Sequence, residues 1–363
     1  MLVTRLDLAN LRRFQRESIS PSPGMNLLVG PNGAGKTSVI EALHVMAYGR
    51  SFRGRIGDGL VRQGADALEI FVEWQAGHPQ TSHRAGLRHT GSAWTGRLDG
   101  ADVTHLGELC ASLAVVTVEP GSHQLITGAG EGRRRFVDWG LFHVEPTFLP
   151  VWRRYARALK QRNALLKSRA TSMELEPWER EMAAAGEPLT QHRGRYLEEM
   201  QPHLQEQLDA LLPAAGAGCI QFQPGWRRED LGLGDALLLS RERDLAAGFT
   251  SVGPHRADWR IDLTLIPGRS ALSRGQAKLT ALSMLLAQAE HQARFRAEWP
   301  VIALDDLTSE LDREHQRRAL DRIRASGAQI FISGTELPAI LETGEATGLF
   351  HVEHGHVHPF SQG

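Results

Sequence analysis

Gly30-Pro31-Asn32-Gly33-Ala34-Gly35-Lys36-Thr37 is the stretch that decides how this chain is read, because it fits the pattern G-x-x-x-x-G-K-[ST]. Just before it, Met25 to Val29 is a short apolar run with the character of a strand. After it, Val39, Ile40, Leu43, Met46 and Ala47 recur at helical spacing. The pattern needs these residue types for physical reasons. Glycines let backbone N–H groups turn inward around phosphate oxygens, in torsions that a side chain forbids. The helix N-terminus adds partial positive charge. Lys36 then reaches the β- and γ-phosphates of a nucleotide, and the Thr37 hydroxyl ligates Mg²⁺.

A phosphate loop serves kinases, GTPases and helicases alike, so other signals must choose among them. Val301-Ile302-Ala303-Leu304 suits a buried parallel strand and delivers Asp305 and Asp306 at its carboxyl end. Asp305 is placed to hold Mg²⁺, and Asp306 to orient or deprotonate an attacking water. A third signal, Leu272-Ser273-Arg274-Gly275-Gln276, precedes the helical pattern Leu279, Leu282, Leu286. Ser273 caps that helix and Gly275 permits close backbone approach, so a second phosphate-facing helix N-terminus is expected there, with Gln276 in its first turn. One nucleotide does not use two such sites on one chain, so Ser273 is expected to face the ATP of a second copy. The plainer alternative is an N-cap serine with no ligand.

The order of these landmarks, with Ser309-Glu310-Leu311-Asp312 after the acidic pair, is that of ATP-binding-cassette heads, in which the last segment lies across a dimer seam. The expected fold is α/β: a cassette-type P-loop ATPase head with an inserted helical lobe. The resemblance is closest to the RecF family of bacterial recombination mediators. It is carried by the phosphate loop, Gly49-Arg50-Ser51-Phe52-Arg53, Arg133 to Trp139, Lys160-Gln161-Arg162-Asn163, Gly253 to Asp258, Ser273 to Gln276 and Asp305 to Asp312, and runs essentially end to end. It implies ATP and Mg²⁺ as cofactors, and weak DNA-dependent ATPase activity. It implies a homodimer formed on ATP that binds duplex DNA next to single-strand gaps. It also implies partnership with RecR and, with RecO, help in loading RecA.

Two departures from the general cassette pattern matter. Asp306 stands where a Glu is usual, one methylene shorter, and slow turnover follows from its displaced carboxylate. After the strand Gln329 to Ile332, where cassette transporters place a switch histidine, the chain reads Ser333-Gly334-Thr335. A transporter subunit is thereby disfavoured. A chromosome-organising head of the SMC kind is disfavoured because the insertion lacks hundreds of heptad residues. A small-molecule kinase leaves Ser273 and Asp312 unexplained.

The 363 residues suffice for one large domain with an insertion, and Lys plus Arg (41) nearly balances Asp plus Glu (42). Any nucleic-acid footprint must therefore be local. Two cysteines, Cys110 and Cys219, have no metal-ligand spacing, and neither a signal peptide nor an apolar span appears; a cytoplasmic protein without a membrane partner is expected. Boundaries are expected at 1–140 for the first part of the head with the phosphate loop, 141–245 for the helical lobe, and 246–363 for the second part. Within the lobe, Pro177, Pro188 and Pro202 are expected to interrupt any long heptad run, giving a compact helical lobe rather than an extended coiled coil.

From Pro146 to Met173 there is no acidic residue, while Arg153, Arg154, Arg157, Lys160, Arg162, Lys167 and Arg169 all fall there. Arg153, Arg157 and Lys160 share a helix face, as a phosphate-tracking surface requires. The alternative is a solvated face paired with acids such as Glu179 and Glu181. Arg50, Arg53 and Arg55 are a second DNA candidate, equally suited to nucleotide contact. The tail Phe350 to His358 reads as a hairpin about Gly355 with solvent-facing histidines, with metal binding as the alternative, and His255 to Asp258 as structural or interdomain.

Overall fold

The structure is a computed structural model that describes residues 1–54, 59–77, 79–266, 272–306, 311–336 and 348–359. The chain forms two compact units, one of residues 1–122 with 282–363 and one of residues 123–281.

The first unit holds two six-stranded sheets. Strands β1 (Leu2–Leu11), β2 (Phe14–Ile19), β4 (Leu68–Ala76), β5 (Thr81–His89), β6 (Trp94–Leu98) and β7 (Ala101–Val103) make an antiparallel sheet in the order β2-β1-β4-β5-β6-β7. Its strands alternate: Leu6, Leu8, Ile70, Val72, Ala85 and Leu87 point to the core, and Arg5, Glu69 and Arg88 to solvent. The second sheet has the order β14-β13-β3-β12-β11-β8, from β3 (Met25–Val29), β8 (Val115–Val118), β11 (Val301–Leu304), β12 (Ile330–Gly334), β13 (Gly348–Glu353) and β14 (His356–Pro359). All neighbours pair in parallel except β13 and β14, which form the expected hairpin turning at Gly355. Strand β11 is a continuous apolar run, and β3, β8 and β12 are apolar but for Asn26, Thr117, Ser333 and Gly334, with nearly every residue buried, as strands covered on both faces must be.

Helix α1 (Lys36–Tyr48) is buried nearly all round, and its Val39, Ile40, Leu43 and Met46 share one core with the apolar sides of both sheets. Helices α2 (Leu106–Ser112) and α9 (Arg313–Ala325) complete this unit.

The unit of residues 123–281 contains α3 (Gln124–Thr127), α4 (Gly130–Val144), α5 (Phe148–Lys167), α6 (Ser172–Leu211) and α7 (Leu233–Ala247), with a two-stranded sheet of β9 (Gly218–Gln223) and β10 (Asp258–Leu263). Helix α8 (Arg274–Arg296) begins here. Gly130 and Gly132 lie in the first turn of α4. The prolines do not break the lobe's longest helix: α6 runs unbroken for 40 residues with Pro177, Pro188 and Pro202 inside it. The carbonyls that these prolines leave without an N–H donor belong to Met173, Ala184 and Glu198, four residues earlier, and all three are exposed residues. Leu175, Met182, Leu189, Tyr196 and Leu204 are buried on the opposite side, so these three residues lie away from the packed side of the helix.

Candidate nucleotide site

The loop after β3 is shaped by its glycines and by the hairpin beside it. Gly33 and Gly35 have φ of 78° and 124°, the left-handed region that disfavours a side chain. A Cβ on Gly30 would lie 2.0 Å from the Val352 carbonyl oxygen, so no larger residue fits there. Helix α1 then opens at Lys36 with no side-chain cap and no acidic residue in its first turn. The Ser38 and Val39 N–H groups turn back to the Gly35 carbonyl, so the helix start offers an anion the N–H groups of Lys36 and Thr37 and its partial positive charge. The Lys36 ammonium folds back over the loop, donating to the carbonyls of Gly30 at 2.7 Å and Pro31 at 2.9 Å. Burial pulls the Lys36 pKa down, and the nearby Asp306 and Asp305 oppose that shift.

The acidic pair arrives from β11. The Thr37 hydroxyl donates to Asp305 Oδ1 at 2.9 Å across 268 positions of sequence. A hydroxyl that donates to a carboxylate keeps its lone pairs for a cation, so this pair of oxygens suits Mg²⁺. Asp305 is buried, and burial raises its pKa; hydrogen bonds from Ser333 and Thr37 and the Arg53 charge work the other way, and Asp306 adds to the rise. Asp306 is half-buried and lines the same cavity.

That cavity, about 350 Å³, is lined by Arg12, Arg13, Asn32, Gly33, Gly35, Lys36, Thr37, Ser38, Arg53, Asp306, Ser333 and Thr335. A larger hollow of about 1100 Å³ lies over the solvent side of the antiparallel sheet and contains none of the motif residues. Its charges already pair among themselves, as Arg5 with Asp7, Arg88 with Glu69 and Arg97 with Asp102.

Sequence reasoning missed Arg12, Arg13, Ser333 and Thr335 as lining groups. Arg12 is anchored by the fully buried Glu41 of α1, whose carboxylate accepts from Arg12 Nε at 2.9 Å and Nη2 at 2.7 Å. Glu41 also accepts from the Ser51 hydroxyl, and Ser51 Oγ accepts the Arg53 N–H at 2.9 Å. The segment carrying Arg53 is thereby tied to the helix that opens at the phosphate loop. The adjacent Arg12-Arg13 at a strand end was the available signal. Arg53 lines the nucleotide cavity, Arg50 is exposed, and Arg55 lies outside the described residues.

Other landmarks behave as helix caps. Ser273 Oγ accepts the Gln276 N–H at 3.2 Å while Gln276 Oε1 accepts the Ser273 N–H at 2.9 Å, a reciprocal cap at the start of α8. Ser273 and Gly275 are exposed, and a Cβ on Gly275 would have only Ser273 Oγ near it, at 3.9 Å. Asp312 caps α9 through the His315 N–H at 2.9 Å; Ser309 and Glu310 lie outside the described residues.

A family model described as RecF/RecN/SMC N terminal domain matches residues 2–358. The DNA replication and repair protein RecF of Stenotrophomonas maltophilia (strain R551-3) is 62% identical over 360 residues, covering 98% of this chain and 99% of that protein. The chain belongs to the RecF family. A more distant relative of the same name, from Thioalkalivibrio sulfidiphilus (strain HL-EbGR7), is 35% identical over 356 residues and 98% of each chain. Among solved structures, the recombination mediator protein RecF-ATP in the RecFOR pathway matches with a TM-score of 0.88 at 24% identity, over 99% of this chain and 98% of that one. An Smc head bound to the C-winged helix domain of ScpA matches with a TM-score of 0.60 at 16% identity, over 100% and 98%. The RecF-family fold seen here is that of a cassette-type P-loop ATPase head, as the order of motifs implied.

Proposed function

We propose that this RecF-family chain is a DNA replication and repair protein that binds Mg·ATP, dimerises on it, and clamps DNA during recombinational repair. The observation that carries the nucleotide reading is the meeting of Thr37 and Asp305 at 2.9 Å beside an uncapped, glycine-shaped helix N-terminus. In this reading the loop Gly30 to Thr37, with Pro31, Asn32, Gly33, Ala34 and Gly35 supplying backbone, holds the phosphates. Lys36 neutralises them, and Thr37 and Asp305 hold Mg²⁺. Bound Mg²⁺ supplies Lewis-acid polarisation of the phosphoryl group. Asp306 orients the attacking water, and its short side chain makes the ATPase weak. Ser273, Gly275, Gln276 and Asp312 face the nucleotide of a second copy; the exposure of Ser273 and Asp312 supports this.

The DNA reading rests on the relatives' role in replication and repair, and on α5. Arg157 and Lys160 are exposed and Arg153 is half-buried, and none of the three has an ion-pair partner among the described residues. Two neighbours are committed elsewhere, Arg154 to Glu181 at 2.9 Å and Arg162 to Glu179 and Asp244, which leaves five cations of the cluster, of which these three share one helix face. The helical lobe at 141–245 is the proposed DNA-tracking insertion. Duplex next to a single-strand gap is the proposed substrate, RecR the direct partner, and RecO and RecA act in the same pathway. The site of action is the cytoplasm.

Sedimentation with and without ATP and gapped duplex tests this directly. The wild type is expected to shift from monomer to dimer on ATP and to co-sediment with the DNA. Ser273→Arg is expected to bind ATP normally and stay monomeric. Equal loss of ATP binding and dimerisation would assign Ser273 to its own subunit's nucleotide, and a wild type indifferent to ATP would sink the clamp.

A further inference from the structure

We infer that Ser333 is the positioning residue of the acidic pair, fixing the Asp305 carboxylate and the Asp306 backbone at once through a single hydroxyl. The inference deepens the Mg·ATP reading and rests on it. Ser333 sits near the end of β12 at 1% exposure. Its Oγ donates to Asp305 Oδ1 at 2.6 Å and accepts the Asp306 N–H at 3.0 Å. A serine hydroxyl has one proton and two lone pairs, so its donor capacity is spent on the carboxylate.

The same Asp305 oxygen also accepts from Thr37 at 2.9 Å. Oδ1 is therefore pinned from two sides, by α1 and by β12. Asp305 Oδ2 accepts no hydrogen bond among the described residues, and the carboxylate plane is set without occupying it. Two hydroxyls thus determine how Asp305 presents itself to a cation.

The second half of the arrangement concerns the backbone. Asp306 has φ of 54°, a left-handed conformation uncommon for residues with a Cβ, though Asp adopts it more readily than most. Its N–H is the atom that Ser333 holds. Changing that torsion would swing the Asp306 side chain away from the cavity it lines. Cassette transporters use a histidine near this position to sense the nucleotide. Here a serine acts on the acidic pair instead, joining β11 to β12 beneath the cavity. Ser333→Ala removes both bonds and leaves an apolar residue suited to the strand. Ser333→Thr keeps the hydroxyl and suits the strand equally well.

The experiment uses the full chain, as wild type, Ser333→Ala and Ser333→Thr, with a thermal melt of each. ATP affinity is titrated with Mg²⁺ and again with EDTA, and kcat and KM are measured for hydrolysis. For Ser333→Ala the affinity in EDTA is expected to match wild type, while the Mg²⁺-supported affinity falls roughly tenfold, the effect of losing one hydrogen bond to a charged group. The drop in kcat is expected to exceed the change in KM, because the Asp306 carboxylate loses its aim. Ser333→Thr is expected to restore both. Equal losses with Mg²⁺ and with EDTA would mark Ser333 as merely structural and overturn the inference, as would a Ser333→Ala protein with unchanged Mg²⁺ dependence. A wild type that binds no ATP in either titration would overturn the nucleotide reading itself, and the wild-type curves show that before any variant is compared. A wild type that binds but hydrolyses too slowly to measure leaves the decision to the two affinity arms.

Discussion

At the nucleotide cavity, charged groups are placed with bonding capacity to spare: α1 opens without a cap, and Asp305 uses one oxygen for two hydroxyls. In the unit of residues 123–281, the buried arginines Arg133, Arg162 and Arg193 are saturated instead. Arg162 is fully buried, bonding Glu179 at 3.0 Å, Asp244 at 2.8 Å and the Thr250 hydroxyl at 2.9 Å. Arg193 grips Asp138 at 2.8 and 2.9 Å and donates to the Pro254 carbonyl at 2.7 Å. Arg133 does the same with Asp258 at 2.6 and 2.9 Å and the Gly128 carbonyl at 2.7 Å. Both regions hold family motifs. The difference teaches that a motif rich in cations is a binding site only where its donors remain uncommitted.

The comparison is broken most severely at Arg162. Arg162→Met should cost about 3–5 kcal/mol of stability, because it leaves the buried Asp244 without a cation and Glu179 with Arg241 alone, and denaturant titration measures it. Adding Glu179→Gln and Asp244→Asn to the same chain should recover part of the loss. A stability loss under about 1 kcal/mol would mean that water reaches the network.

Lys36→Met tests the opposite region. It should weaken Mg·ATP binding by roughly a hundredfold, because a charge-assisted hydrogen bond to the phosphates disappears. The melting temperature should hardly move, since Lys36 donates only to two loop carbonyls. A folded Lys36→Met protein that binds ATP normally would remove the phosphate loop from the site.

The smallest effect is expected on α5, where the two uses of arginine lie side by side. Changing Arg153, Arg157 and Lys160 together to Glu should flatten the plot of log DNA affinity against log salt by about one unit for each phosphate no longer neutralised, with ATP affinity and folding intact. Anisotropy over a salt series reads it. An unchanged slope would leave these three as a solvated face.

Much of the site was legible because its residues are local signals: a glycine loop between strand and helix, an apolar strand ending in Asp305, a serine opening α8. Ser333 was not, because its role depends on a strand 28 positions away from Asp305, and the sequence showed only that a histidine was missing. The pairing of Arg162 was half legible: Glu179 was among the acids expected to pair with this cluster, whereas Asp244 lies on α7, 82 positions away. The prolines are hard to read for a different reason. Taken singly, each one removes a backbone donor and argues for a break. Taken together, Pro177, Pro188 and Pro202 are spaced by close to three and then four helical turns, so they fall on one face of a continuous helix. The residues that carry the uncovered carbonyls are then all exposed, and the helix tolerates them.

The parallel sheet also bears on how the chain is made. Strand β3, which leads into the phosphate loop, takes its neighbours β12 and β13 from residues 330–334 and 348–353. Gly30 lies against Val352, and the Gly355 N–H donates to the Ala34 carbonyl at 3.3 Å. A ribosome working at roughly 5–20 residues per second therefore leaves the apolar β3 unpaired for about a quarter of a minute to a minute. During that interval the nascent nucleotide loop has no floor, and ATP cannot template it. The order of synthesis thus makes this one of the last parts of the molecule to mature, although its signature is among the first to emerge.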